Sequence, residues 1–273
     1  MPQTDRPVIL VTGASQGLGA AISQRLAEWA VVYGGSRSGA APDGVRRIQM
    51  DVGDEESISS AVNQIIASES RVDVLINNAG IVLSGASERT PISSVSRLID
   101  VNFLGAMRTT HTLLPQMREQ RSGLILNISS MAAAVPLPFR SCYAASKAAL
   151  EAWAWSLRLE VKSFGICVSC VQVGDCQTNL SDHELSELPD HDQGVYRDVE
   201  QSTHARYRRD EANGMKPDRL AESVERIVKK PFSRIRFRHA AGPLTQRILF
   251  AFRHVLPEWA AELIIRQMYM SGR

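Results

Sequence analysis

The sequence predicts an open α/β fold, a doubly wound parallel sheet of about seven strands with helices on both faces. Two observations carry this. Short β-branched and aliphatic runs alternate with longer helical patterns as far as about residue 240, which calls for parallel strands joined by right-handed crossovers. No internal repeat or low-complexity linker divides the chain, so residues 1–273 read as a single domain.

The elements follow in order. Residues 8–12 form the first strand candidate, and a helical pattern covers 20–29. Strand candidates at 31–35 and 47–51 come next, then a helix at 55–67 and a strand at 72–77. Residues 92–118 read as one long helix. A strand at 124–129, a helix at 143–162 and a strand at 166–173 continue the alternation, and a helix at 218–229 leads to a seventh strand at 234–237. Two segments break the rhythm. Residues 181–218 are rich in His, Asp, Glu and Arg, and their place after the sixth strand favours a substrate lid over a solvated surface excursion. Residues 244–270 carry Leu249, Phe252, Leu256, Trp259, Leu263, Ile264 and Met268 at helical spacing, interrupted at Pro257. That stripe suits core or subunit contact. A membrane-surface role fits less well, because Glu258 and Glu262 dilute its basic face.

Composition excludes several classes of function. A net charge of +2 offers no basic footprint for nucleic acid. No apolar run reaches the roughly 18 residues of a membrane span, and the apolar run at 8–11 is too short for a secretory signal. The expectation is a soluble, cytoplasmic protein. Cys167 and Cys170 form a C-x-x-C, but in a strand residues three apart face opposite sides, so they read as ordinary buried thiols. Cys142 and Cys176 have no partner at ligand spacing. His183 and His191 each stand beside an Asp, yet an exposed polar loop is the better reading, and no metal is expected.

The first strand runs into Gly13-Ala-Ser15-Gln16-Gly17-Leu18-Gly19, after which a helix begins. A glycine-rich turn from strand to helix lets backbone approach a pyrophosphate, and the helix N-terminus adds unpaired N–H groups. This makes the sheet a Rossmann-type dinucleotide-binding candidate. At the end of the second strand an acidic residue would select NAD(H). Here Ser36, Arg37 and Ser38 stand there, with a guanidinium and two hydroxyls suited to a 2′-phosphate, which favours NADP(H).

Tyr143-Ala-Ala-Ser-Lys147 opens a helix, and the i,i+4 spacing puts phenol and ammonium on one face. An ammonium beside a phenol favours the phenolate and brings its pKa down toward neutrality. Upstream, Ser129 and Ser130 end a strand and deliver a hydroxyl to the sheet edge.

Thr12-Gly-x-x-x-Gly17-x-Gly19, Asn77-Asn-Ala-Gly80, Asn102, Ser130 and Tyr143-x-x-x-Lys147 resemble the short-chain dehydrogenase/reductase family in order and spacing, closely over about residues 7 to 180. The wording of residues 32–37 and 136–143 is similar to NADP-using members related to hydroxysteroid and retinol dehydrogenases. The resemblance implies Tyr143 as general acid in reduction, with Lys147 lowering its pKa and bonding the nicotinamide ribose. It implies that Ser130 holds the substrate oxygen and that Asn102 anchors a water relaying protons to Lys147. Asp51 and Val52 would flank the adenine, Asn78, Ala79 and Gly80 would line the adenosine ribose, and Val101 and Gly174 would border the cofactor. Thr178 would bond the carboxamide or a phosphate. Two departures stand out: Val173-Gly174 replaces the usual Pro-Gly, loosening the turn under the nicotinamide, and Trp29-Ala30 shortens the entry to the second strand.

Residues 131–139 are mostly apolar and lie between Ser130 and Tyr143, which points either to a hydrophobic ketone or alcohol as substrate or to a loop that packs on the lid, while Arg140 reads as solvated. The resemblance implies a homodimer or homotetramer built on the helices at 92–118 and 143–162, which carry surplus apolar residues including Trp153 and Trp155. Two other functions are compatible with the motifs: an NADPH-binding sensor without turnover, and a dehydratase or epimerase on the same fold.

Overall fold

A computed structural model describes residues 6–177, 195–252 and 257–270. Seven strands form one parallel sheet: β1 (Val8–Thr12), β2 (Val31–Ser36), β3 (Arg46–Gln49), β4 (Val74–Asn77), β5 (Gly123–Ser130), β6 (Ile166–Val173) and β7 (Arg238–Ala241). Their spatial order is β3-β2-β1-β4-β5-β6-β7. The order reverses between β1 and β4, and it is outside the carboxyl ends of such a pair that an open α/β sheet leaves a crevice for ligands.

Both faces of the sheet are covered at its centre, so β1 and β4 are buried, largely apolar runs. Val8 and Leu10 of β1 pack toward α2 (Glu55–Glu69), α4 (Gly105–Gln120) and α5 (Ser141–Val161), with Ile58, Leu113 and Leu157 in the same cluster. Ile9 and Val11, pointing the other way, meet Ile22 and Leu26 of α1 (Gly17–Ala27) and Leu220 and Val224 of α7 (Pro217–Val228). Cys167 and Cys170 fall into opposite clusters, as alternation along β6 requires. Both are free thiols.

Three boundaries differ from expectation. The last strand is Arg238–Ala241, not 234–237. Ile235 and Phe237 are buried and mimic a strand core, but Ile235 is held through its carbonyl by Arg158 at 2.7 Å, and ladder pairing with β6 starts only at Arg238. The single helix expected at 92–118 is α3 (Ile92–Ile99) and α4, separated by a five-residue π-helical segment, Asp100–Leu104. Within the expected lid, Arg197–Ala212 forms a helix, α6, whose buried face is little more than Thr203 and Tyr207. That face is too narrow to leave an apolar period in the sequence. His183, His191 and the rest of 178–194 lie outside the described residues.

The C-terminal stripe forms α8 (Leu244–Phe252) and α9 (Glu258–Tyr269), with Pro257 at the start of the second. Among the described residues no helix is long and apolar enough to cross a membrane.

Candidate active site

The carboxyl ends of the strands open into a cavity of about 690 Å³. One end is the glycine turn between β1 and α1. Gly13 and Gly17 have φ of +68° and +55°, in the left-handed region that side chains resist. A Cβ on Gly19 would lie 2.2 Å from the Gly13 carbonyl and 2.4 Å from Asn78 Nδ2, so this cradle exists only because side chains are missing. Asn78 closes it from β4: its Nδ2 donates to the carbonyls of Thr12 (3.0 Å) and Gly13 (3.2 Å). Ser15, Gln16 and Leu18 line the same end.

Along the crevice, Ser36 and Arg37 reach the cavity from the end of β2, and Asp51 and Val52 from beyond β3. Ser36 is less free than expected, since its hydroxyl donates to the Ala40 carbonyl at 2.7 Å. Ser38 does not line the cavity; its Oγ accepts from Ala40 N within the turn. Ala79, Gly80 and Val101 complete the middle of the crevice, and Gly174 borders its far end. Thr178 lies outside the described residues.

At the far end, α5 brings Tyr143 and Lys147 to the cavity wall, and Ser130 arrives at the end of β5. Lys147 Nζ stands 5.9 Å from the Tyr143 ring centre and donates to the Ile128 carbonyl at 3.0 Å. Asn102, in the π-helical segment, lies behind the wall. Its Oδ1 accepts from Ile81 N at 2.8 Å, and its Nδ2 donates to Ile81 O at 2.9 Å and Ser146 Oγ at 3.1 Å.

The electrostatics correct one expectation. Burial pushes the Tyr143 phenol above its ordinary range, while the Ser130 hydroxyl and the Arg140 guanidinium pull it down and the Glu211 carboxylate raises it again. Burial outweighs the downward pulls. Burial instead pushes Lys147 itself down to about 8, against upward pulls from Cys170 and Glu151.

Arg140 is the other correction. It is not solvated: its Nη2 donates to Glu211 Oε1 at 2.9 Å, its Nε meets Ser84 Oγ at 3.3 Å, and its guanidinium stacks 4.1 Å from the Tyr207 ring centre. Glu211 and Tyr207 belong to α6, nearly seventy residues along the chain, and no local pattern announces the pairing. Asp175 was missed too. Its side chain receives Gln246 Nε2, its backbone N–H donates to Gln246 Oε1 at 3.0 Å, and burial pushes its carboxyl up against that bond. These bonds, with Gly174 N–H to Ala241 O at 2.8 Å, stiffen the turn after β6 that lacks proline.

A family model for short chain dehydrogenases matches residues 7–188. The chain belongs to the short-chain dehydrogenase/reductase family. This short-chain dehydrogenase/reductase is 37% identical over 267 residues to 3-ketodihydrosphingosine reductase of Bacteroides thetaiotaomicron, covering 96% of this chain and 97% of that protein. It is 33% identical over 201 residues to estradiol 17-beta-dehydrogenase 1 of Rattus norvegicus, covering 67% of this chain and 57% of that one. A crystal structure of a short-chain dehydrogenase from Streptomyces avermitilis superposes with a TM-score of 0.76 at 32% identity, over 96% of each chain. The protein is therefore an oxidoreductase, and its family uses NAD(P)(H).

Asn102 is 1% exposed, and its amide satisfies both backbone groups of Ile81. Asn102→Ala should cost about 1–3 kcal/mol of stability, the price of orphaned buried polar groups. It is read as a lower urea midpoint at unchanged slope; an unmoved midpoint would show that these bonds carry no weight.

Proposed function

We propose that this enzyme reduces a hydrophobic ketone with NADPH, Tyr143 giving the proton to the carbonyl oxygen. The observation that carries the reading is that Tyr143, Lys147 and Ser130 together line one end of a cavity whose other end is the glycine cradle.

The residues fit the dinucleotide. The cradle at Gly13, Gly17 and Gly19 has the close backbone approach that a pyrophosphate needs, at the N-terminus of α1. Asp51 and Val52 would border the adenine, Asn78 to Gly80 the adenosine ribose, and Val101 and Gly174 the path toward the nicotinamide. Arg37, exposed at the cavity rim with no carboxylate at 36–38, would hold the 2′-phosphate. When bound, the reduced cofactor would supply the hydride to the carbonyl carbon. The chain's residues do the rest. Ser130 would hold the substrate oxygen against Tyr143, and the phenol, kept protonated by burial, is in the right state to release a proton as negative charge develops on that oxygen. Lys147 would bond the ribose and present a positive charge below the phenol. Because burial sets it near 8, reduction should fall away on the alkaline side as that charge is lost.

The cavity favours an amphiphilic substrate. Val135 and Leu137 form one apolar wall, and Phe250, Ile265 and Met268 from α8 and α9 form another. Beside Tyr143 three carboxylates (Asp175, Asp210, Glu211) meet two guanidiniums (Arg140, Arg206), an excess of one negative charge. Arg206 and Arg140 are bonded to Asp210 and Glu211, leaving Asp175 on the neutral amide of Gln246. A ketone with a long apolar chain and a protonated amine near the carbonyl complements both halves, and the relative that reduces 3-ketodihydrosphingosine supports this class. An assembly of two or four copies is supported by Trp155 and Leu159, 47% and 61% exposed one turn apart on α5. Reduced thiols on the described residues agree with a cytoplasmic setting.

The test of substrate is a panel of long-chain ketones with NADPH, each as the 2-amino compound and its deamino analogue, followed at the nicotinamide absorbance. Faster turnover of the amine is expected, and preference for the deamino ketone would overturn the charge argument. Binding without oxidation would point to a sensor, and product change without net oxidation to an epimerase or dehydratase. Tyr143→Phe should lower kcat by about 10² or more while NADPH still binds; full activity would end the acid–base assignment. Arg37→Ala should raise KM for NADPH far more than for NADH, and equal changes would remove Arg37 from the 2′-phosphate site.

A further inference from the structure

Glu151 is a carboxylate only 4% exposed, and nothing in the proton transfer uses it. It stands on α5 two turns after Tyr143 and one after Lys147, on the same face. Its Oε1 accepts from Ser129 Oγ at 2.7 Å, both its oxygens accept from Gln172 Nε2 at 2.9 and 3.0 Å, and its Oε2 accepts from Arg238 Nε at 2.8 Å. Those partners are on β5, β6 and β7, so one carboxylate ties three adjacent strands to α5.

The pattern along β5 is regular. Ile128 and Ser129 bond successive turns of α5, Ile128 to Lys147 and Ser129 to Glu151, and Ser130 follows them into the cavity that Tyr143 lines. Slide the helix along the strand, and both bonds are lost together. We propose that Glu151 is a positioning residue, whose buried carboxylate fixes the register of α5 on β5, and so the placement of Tyr143 relative to Ser130, and opposes the Lys147 ammonium with a negative charge. This rests on the reading of Tyr143 and Lys147 given above.

The groups facing Lys147 include one carboxylate, Glu151. From its own helix come Tyr143 and Glu151; from β6, Cys170; from the loop after β4 and the π-helical segment, Gly80 and the neutral amide of Asn102; and Arg238 of β7 acts from behind Glu151. Burial pushes the Cys170 thiol up to about 12 and raises the Tyr143 phenol as well. Cys170 and Glu151 both pull Lys147 up against the burial that pushes it down, and Glu151 is the carboxylate of the two.

The experiment is the pH profile of NADPH-dependent ketone reduction for Glu151→Gln, Glu151→Asp and Ser129→Ala beside the parent. In Glu151→Gln an opposite charge is gone, Lys147 loses its proton sooner, and the alkaline limb should move to lower pH by roughly half a unit or more. kcat should also fall by about tenfold or more with little change in KM for NADPH, since reacting groups are displaced rather than binding removed. Glu151→Asp keeps the charge and should keep the limb. An unmoved limb in Glu151→Gln, or the same movement in Glu151→Asp, overturns the proposal. If Glu151→Gln does not fold, Ser129→Ala decides: a kcat loss with the limb in place supports the register argument, and an unchanged kcat overturns it. Tyr143→Phe run alongside separates the two levels. If that variant is active, the acid–base reading fails; if it is dead while the Glu151→Gln profile is unmoved, only this inference fails.

Discussion

One face of α5 laid against the final residues of β5 is the contact on which the rest of the site depends. It occurs where β5 outruns β4, whose pairing ends at Asn127, while β6 still pairs through Ser130, and buried polar groups on the open side must find other bonds. Ile128 meets this demand with its carbonyl and Ser129 with its hydroxyl, and the helix answers with an ammonium and a carboxylate. The same bonds that satisfy these buried groups hold the helix that carries Tyr143 and Lys147 at the cavity wall. Stability and chemistry therefore share atoms, and a side chain there cannot be changed for one without affecting the other.

Across the crevice the constraint is steric rather than polar. Gly19 has no space for a methyl group between Gly13 and Asn78, and Asn78 is itself anchored to Thr12 and Gly13. β1, α1 and the exit of β4 thus close on one another around a cradle of bare backbone. The order reversal between β1 and β4 places this cradle and the α5 face on the two sides of one opening. A molecule spanning both must be long, with a charged group at one end and a reactive centre at the other.

Local features were legible in the residues, and long-range ones were not. Strands covered on both faces are unbroken apolar runs, so β1, β2 and β6 are plain in the sequence, as is the opposite facing of Cys167 and Cys170. The glycine turn and the Tyr143–Lys147 spacing are equally local. The break of the long helix at Asp100–Leu104 leaves no mark in composition, because its reason is the Asn102 amide reaching Ile81 across 21 residues. Arg140 looks like a surface residue until α6 supplies Glu211 and Tyr207. The direction of the Tyr143 shift was hidden for the same reason: spacing reveals a neighbouring charge, whereas burial belongs to the whole fold.

The turn after β6 shows how a lost local device is replaced by a distant one. A proline before Gly174 would hold φ by its own ring. Here Val173 precedes Gly174, and the turn is held by Ala241 of β7 and by both ends of the Gln246 amide on α8. A Cβ at Gly174 would sit 2.3 Å from Gln246 Oε1, so helix and turn are in close contact. The exchange has a consequence. A ring fixes one residue and nothing else, but Gln246 couples the turn to a helix that also contributes Phe250 to the apolar wall. Displacing α8 would therefore move Asp175 and the turn at Gly174 together, because one glutamine bonds both the backbone and the side chain of Asp175.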